Sequence, residues 1–170
     1  MSPPPDTTIL GRPAVERVRR ALEAAASPAR PVALAATART AEDAARALGV
    51  EVGQIVKSLV FLVGGRPVLA LVAGDRRCRP EALPGLLGLS GEVARADAET
   101  VRAATGFSIG GVAPVGHPER LPCAIDSSLG RFERLWAAAG HPHAVFETSL
   151  AELVRLTGGV TGAIAEPDPG

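Results

Sequence analysis

A single α/β domain built on a mixed sheet is what this sequence predicts, on three observations. The chain has 170 residues, enough for one domain with a proper core. Strand-like and helix-like segments alternate irregularly, unlike the strict order of a doubly wound parallel sheet. One hairpin stands out: the Val/Leu-rich runs Ile55 to Val63 and Pro67 to Ala73 flank Gly64-Gly65, a pair suited to a tight turn.

The other elements follow in order. Residues 1–11 are proline-rich and polar and read as a disordered lead; residues 166–170 read as a tail, leaving 12–165 as the domain. Val15, Val18, Leu22 and Ala25 recur at helical spacing behind Pro13, which suits a first helical turn. Pro31 to Ala36 is a short apolar strand. Thr40 caps an alanine-rich helix, Ala41 to Leu48, closed by Gly49. Pro80 to Leu87 reads as a short helix, and Glu92 to Arg95 as a strand. Asp97 caps a helix ending at Gly106. Cys123 to Ile125 and Ala144 to Glu147 read as strands, and Ser149-x-x-Glu152 is a capping box opening a last helix to Leu156. Across Arg131 to Ala139, Ala and Leu favour helix, and local sequence alone leaves helix or strand open.

Seventeen of the 18 Lys and Arg residues are arginine; the exception is Lys57. Arginine codons are GC-rich, so a lone lysine marks a position where a guanidinium will not serve. Lysine offers a compact ammonium on a flexible stem, whereas arginine is planar and larger. Lys57 also interrupts the apolar run Ile55-Val56-Lys57-Ser58-Leu59-Val60-Phe61. Either its ammonium has a buried role, or its neighbours face the core while it points to solvent. The formal net charge is zero, which argues against a strong non-specific nucleic-acid binder and against DNA as a partner. No apolar run approaches a membrane span, and the N-terminus lacks a signal-peptide plan. Cys78 and Cys123 form no CxxC pattern and suit small buried positions. A cytoplasmic location is the expectation.

Two further segments carry chemistry. Gly106-Phe-Ser-Ile-Gly-Gly-Val-Ala-Pro-Val-Gly116 is too glycine-rich for a regular element and too apolar for a solvated linker. Its backbone N–H groups can cradle an oxyanion, yet a glycine-rich turn at a strand edge explains the same residues. It is neither a P-loop nor a dinucleotide fingerprint. In Gly140-His-Pro-His143, two histidines stand two apart, but with His117 they form no recognisable ligand set. No nucleophile elbow or Cys–His pairing appears. Asp126-Ser127-Ser128 follows a strand, where either a site or a turn belongs.

These anchors, in this order and spacing, resemble the YbaK/prolyl-tRNA synthetase-associated editing-domain family. The matching stretches are Thr40 to Leu48 leading into Gln54-Ile-Val-Lys-Ser-Leu-Val-Phe61, Ala73-Gly-Asp75, the Gly106–Gly116 segment, Leu121 to Asp126, and Ala139 to His143. Lys57 matches the family's lysine, Gly110-Gly111-Val112-Ala113-Pro114 its Gly-x-x-x-Pro loop, and Gly140-x-x-His143 its Gly-x-x-His element. The resemblance spans nearly the whole chain.

The resemblance implies a mostly antiparallel, β-barrel-like mixed sheet surrounded by helices, with Arg131 to Ala139 strand-like. It implies hydrolysis of the ester in misacylated tRNA by a free-standing factor, often acting on tRNA for proline. Its partners would be the acceptor end of aminoacyl-tRNA and prolyl-tRNA synthetase, with no cofactor and no metal. Lys57, Gly110 and Gly111 become the catalytic candidates. Ser58, Val112, Ala113, Pro114, Asp126, Gly140 and His143 become substrate-binding candidates, Asp126 without a catalytic role. The chemistry suits these residues: an activated ester needs positioned water and donors for a tetrahedral oxyanion. A small pocket would admit Ala, Ser or Cys and exclude a larger cognate amino acid. Two other classes stand beside this one: a non-catalytic aminoacyl-tRNA or nucleotide-binding module, and a metal-dependent hydrolase built on His117, His141 and His143.

Overall fold

A computed structural model describes residues 4–36 and 38–168. In chain order the elements are α1 (Pro13–Ala24), β1 (Val32–Ala33), α2 (Ala41–Leu48), β2 (Ile55–Val63), β3 (Arg66–Ala73), β4 (Arg76–Cys78), α3 (Leu83–Leu87), β5 (Val93–Arg95), α4 (Ala98–Thr105), β6 (Cys123–Asp126), β7 (Leu135–His141), β8 (Ala144–Thr148), α5 (Leu150–Thr157), β9 (Val160–Gly162) and β10 (Ala165–Pro167). Short 3-10 turns occupy Thr7–Gly11, Val52–Gln54, Pro80–Ala82 and Ser127–Arg131.

Eight of the strands form one mixed sheet along the path β1-β8-β7-β2-β3-β6-β9, with β5 attached to β2. The β2–β3, β2–β5, β7–β8 and β1–β8 pairs are antiparallel, and β2–β7, β3–β6 and β6–β9 are parallel. The fold is therefore the expected mixed, mostly antiparallel α/β domain. The barrel-like sheet is not a closed barrel: among the described residues the strand path ends at β1 and β9 without the two pairing.

The β2–β3 hairpin turns at Gly64-Gly65, whose φ values of +56° and +81° are those of a turn matching strand twist. β3 is buried on both faces. Leu69 and Leu71 join Val56, Val60 and Ile125 in the main core, under Val15, Val18 and Leu22 of α1 and Leu153 and Leu156 of α5. Val68, Ala70 and Val72 join Phe61, Ala124, Leu83 and Ile164 on the other side. The Ala and Leu of Arg131 to Ala139 do not make a helix. Ser127–Arg131 is a 3-10 turn, and Leu135–His141 is a strand that alternates buried Leu135, Ala137 and Ala139 with half-buried Trp136 and Ala138. Pairing to both β2 and β8 overrides propensity there.

Both ends of the chain are more ordered than expected. Of the lead, residues 1–3 lie outside the described residues, but Thr7–Gly11 is a 3-10 turn capped by Asp6 and anchored by buried Ile9. Of the tail, Glu166 and Pro167 belong to β10, which pairs with β4, and residues 169–170 lie outside the described residues. No helix among the described residues is long and apolar enough to cross a membrane.

Candidate active site

The site forms where β2 loses a strand neighbour. On one edge β2 pairs with β7 only at Ile55↔Trp136 and Val56↔Ala137, and with β5 only from Phe61 onward. Between these pairings, around Lys57, Ser58 and Leu59, the edge opens into a cavity of about 430 Å³. Its wall comes from β2 (Ile55 to Leu59), β7 and β8 (Trp136, Ala138, Val145), the start of α2 (Thr40, Ala41, Ala44) with Arg39, the glycine loop (Ile109, Gly110, Val112), and Pro142-His143. Lys57, the glycine loop and His143, far apart in sequence and singled out there, thus meet at one place.

Lys57 is half-buried in this wall, and its Nζ donates to the Arg76 carbonyl oxygen at 2.5 Å. That carbonyl is itself fixed. The turn before it is tied to the Ser127–Arg131 turn by a two-pronged ion pair, Arg131 Nη1 and Nη2 donating to Asp75 at 3.0 and 2.8 Å. The Arg131 guanidinium holds the Asp75 carboxyl below the usual carboxylate range. The residue behind the bonded carbonyl, Arg76, stands opposite Pro167 of β10. The tip of Lys57 is therefore anchored rather than swinging in solvent, with one of three N–H donors used by the Arg76 carbonyl.

The glycine loop follows α4 and is irregular. Gly111 N–H donates to the Ser108 carbonyl at 3.0 Å, closing a turn around Ile109 and Gly110. This changes the oxyanion expectation: the Gly111 amide is committed inside the loop, so the donors on offer to a ligand are its flanking neighbours. Of these, Gly110 (φ +94°) and Val112 line the cavity. Gly111 instead packs against the chain. A Cβ there would stand 3.0 Å from backbone atoms of His141, so only glycine lets the loop lie this close.

His143 lines the cavity, and its N–H donates to His141 Nδ1 at 3.0 Å. Burial, then His143 and Arg12, hold His141 below the ordinary histidine range. Lys57, Ser58, Gly110, Val112 and His143 are thus brought together. The structure puts the other candidates elsewhere. Ala113 is fully buried, and Pro114 borders a separate cavity behind the loop. Gly140 (φ +93°) lets β7 approach α1: a Cβ would lie 2.7 Å from the Ala14 carbonyl oxygen. Asp126 is 2% exposed and accepts from Ser128 N–H (3.1 Å), the Ser128 hydroxyl and Ile164 N–H (2.9 Å). Its oxygens hold a turn and the segment before β10, and it is not among the residues that line the cavity.

Among the described residues, no three His, Cys, Asp or Glu side chains gather as a ligand set. His117 stands apart on the Ala113 carbonyl. The sequence reading missed Trp136 and Arg39 in the wall. Trp136, the single tryptophan, lay inside the stretch left open between helix and strand, so its face was unreadable. Trp136 Nε1 and Ser58 Oγ are buried polar atoms without a partner among the described residues, and such groups reward a ligand that pairs with them.

A mixed sheet, a cavity lined by one lysine, and a glycine loop offering backbone donors define a site for a small substrate group. The comparisons agree. Residues 35–156 match the aminoacyl-tRNA editing domain, and the chain belongs to that family, whose enzymes hydrolyse the ester of misacylated tRNA. A solved candidate trans-editing enzyme for prolyl-tRNA synthetase superposes with a TM-score of 0.85 at 43% identity, over 91% of this chain and 98% of that one. Proline–tRNA ligase of Maridesulfovibrio salexigens is 43% identical over 77 residues, which are 45% of this chain and 13% of that enzyme. The ligase of Elusimicrobium minutum is 39% identical over 85 residues, 50% and 15% of the two chains. The chain therefore matches only a small part of these curated relatives.

Proposed function

We propose that this chain edits in trans, hydrolysing the ester of tRNA for proline that carries a small wrong amino acid such as Ala, Cys or Ser. The observation that carries this reading is the cavity itself: it joins Lys57, Ser58, the glycine loop and His143 within about 430 Å³. An aminoacyl ester is already activated, so hydrolysis requires chiefly a positioned water and stabilisation of the tetrahedral oxyanion. The Gly110 and Val112 amides supply donors of the needed kind. The ribose hydroxyl next to the ester can relay the proton from substrate itself. The anchored Lys57 ammonium faces the phosphate or ester end, and Arg39, exposed at the rim, meets the acceptor backbone. Apolar walls of Ala, Val and Ile fit a small side chain, with size exclusion of the cognate amino acid as the second sieve. Prolyl-tRNA synthetase, the source of such mischarged tRNA, is the proposed partner.

The test is a deacylation panel across aminoacyl-tRNA pairs, with tRNA for proline carrying Ala, Cys, Ser or Pro. Hydrolysis of the small-residue esters and sparing of the prolyl ester is expected. Binding of these RNAs with no turnover on any of them would instead make the chain a binding module.

A further inference from the structure

The glycine loop lies between two spaces. Ile109, Gly110 and Val112 line the site cavity; at the loop's end Pro114, Val115 and Gly116, with His117 and Arg120, line a second cavity of about 430 Å³. Between them Val112, Ala113 and Val115 pack in the main core, and polar tethers at both ends of the segment set how its backbone groups are turned. At its start, buried Thr105 accepts from Phe107 N–H at 3.0 Å, and Arg17 of α1 donates to the Gly106 carbonyl at 2.5 Å. Past its donors, His117 Nε2–H donates to the Ala113 carbonyl at 2.7 Å. Because a carbonyl only accepts, this bond assigns the proton to Nε2. The Arg17 and His117 tethers touch through one ring. Arg17 stacks on Phe107 at 4.4 Å, and Phe107 meets His117 edge-on at 6.0 Å.

We infer that His117 is a positioning residue for the loop: its bond to Ala113, braced by Phe107 and Arg17, sets the direction of the Gly110 and Val112 amides in the site. It touches no substrate and acts through the loop. The inference rests on the reading of this loop as the oxyanion-binding element. Burial, with the Arg17 charge adding to it, keeps His117 below the ordinary histidine range and so neutral, which suits a tether that needs only one N–H.

The test compares His117→Gln with His117→Asn. Both are polar amides, but only glutamine reaches as far as the imidazole Nε2. Single-turnover deacylation, thermal melts and amide hydrogen exchange of residues 108–114 are measured on the full chain. Asn is expected to lower the chemical rate about 10- to 100-fold with KM roughly unchanged, as for a reacting group misplaced by about an ångström. It should also speed exchange in the loop about tenfold or more, while Gln restores both. Parent-like rate and exchange in the Asn variant would overturn the inference, as would equal losses in Gln and Asn. If the parent deacylates nothing in the panel, the functional reading fails, and the exchange measurement still decides whether His117 holds the loop.

Discussion

The two halves of the candidate site are held by opposite means. Lys57 and Ser58 sit on β2, which pairs with β3 residue for residue from Val56↔Ala73 to Val63↔Arg66. The loop from Gly106 to Gly116 has no ladder. It is kept in place by one internal turn, by side-chain bonds to Thr105, Arg17, Arg102 and His117, by a close approach to His141, and by Phe107, Val112, Ala113 and Val115 packed in the core. A ladder holds a residue by many redundant backbone bonds, so one side chain on it can change without moving the rest. A loop without a ladder is held by single, non-repeating bonds and contacts, so the loss of one is not covered by its neighbours. Substitutions on the strand should therefore alter chemistry and leave the fold, whereas substitutions in the loop should alter position.

The largest effect is expected in the loop. A side chain at Gly110 must adopt φ +94°, a region L-residues reach at a cost of about 1–3 kcal/mol. It meets little else, since a Cβ would have only Pro142 Cγ near, at 3.7 Å. Gly110→Ala should therefore re-aim the donors and lower single-turnover deacylation about 10²–10³-fold, the loss typical of one oxyanion donor. Gly111→Ala should cost rate and also melting temperature, because its Cβ presses on His141 backbone. Parent rates in both variants would reduce the loop to a turn.

Next comes the strand. Lys57→Ala should lower kcat/KM about 10- to 100-fold, the worth of a charge-assisted contact, with little change in melting temperature. Lys57→Arg should not restore it, because a planar guanidinium cannot take the anchored position beside the Arg76 carbonyl. A strong loss of stability in Lys57→Ala would break the contrast, since the ladder would then depend on this side chain.

Two smaller effects concern the titrating groups. His117 and His141 are both held below the ordinary histidine pKa. Below about pH 6.5 the unfolded chain takes up protons that the folded chain resists, so stability present above that pH should decline as pH falls toward their folded values. Melts between pH 7.5 and 5 should show the decline, and His117→Gln should flatten it. Burial pushes the Cys78 and Cys123 thiols up to about 11, so iodoacetamide should label neither appreciably at pH 7.5 without denaturant. Rapid labelling of Cys123 would mean that the cavity behind the loop opens readily.

Much of this molecule was legible in sequence because the signals are local. Thr40 and Ser149 cap helices by accepting from Asp43 N–H and Glu152 N–H; Gly64-Gly65 turns the hairpin; Val15, Val18 and Leu22 face the core. Each depends on a few neighbouring residues, and the motif spacing singled out Lys57, the glycine loop and His143. What the tertiary structure alone decided depends on partners distant along the chain. Arg131 to Ala139 contains a strand because β2 and β8 flank it. Gly140 is needed because α1 crosses there, and Asp126 is spent on Ile164. Trp136 reaches the site only once β7 lies beside β2, and His117 matters because it bonds the Ala113 carbonyl in a loop that has no strand ladder. Local propensity contains none of these contacts, since each exists only after the sheet has assembled.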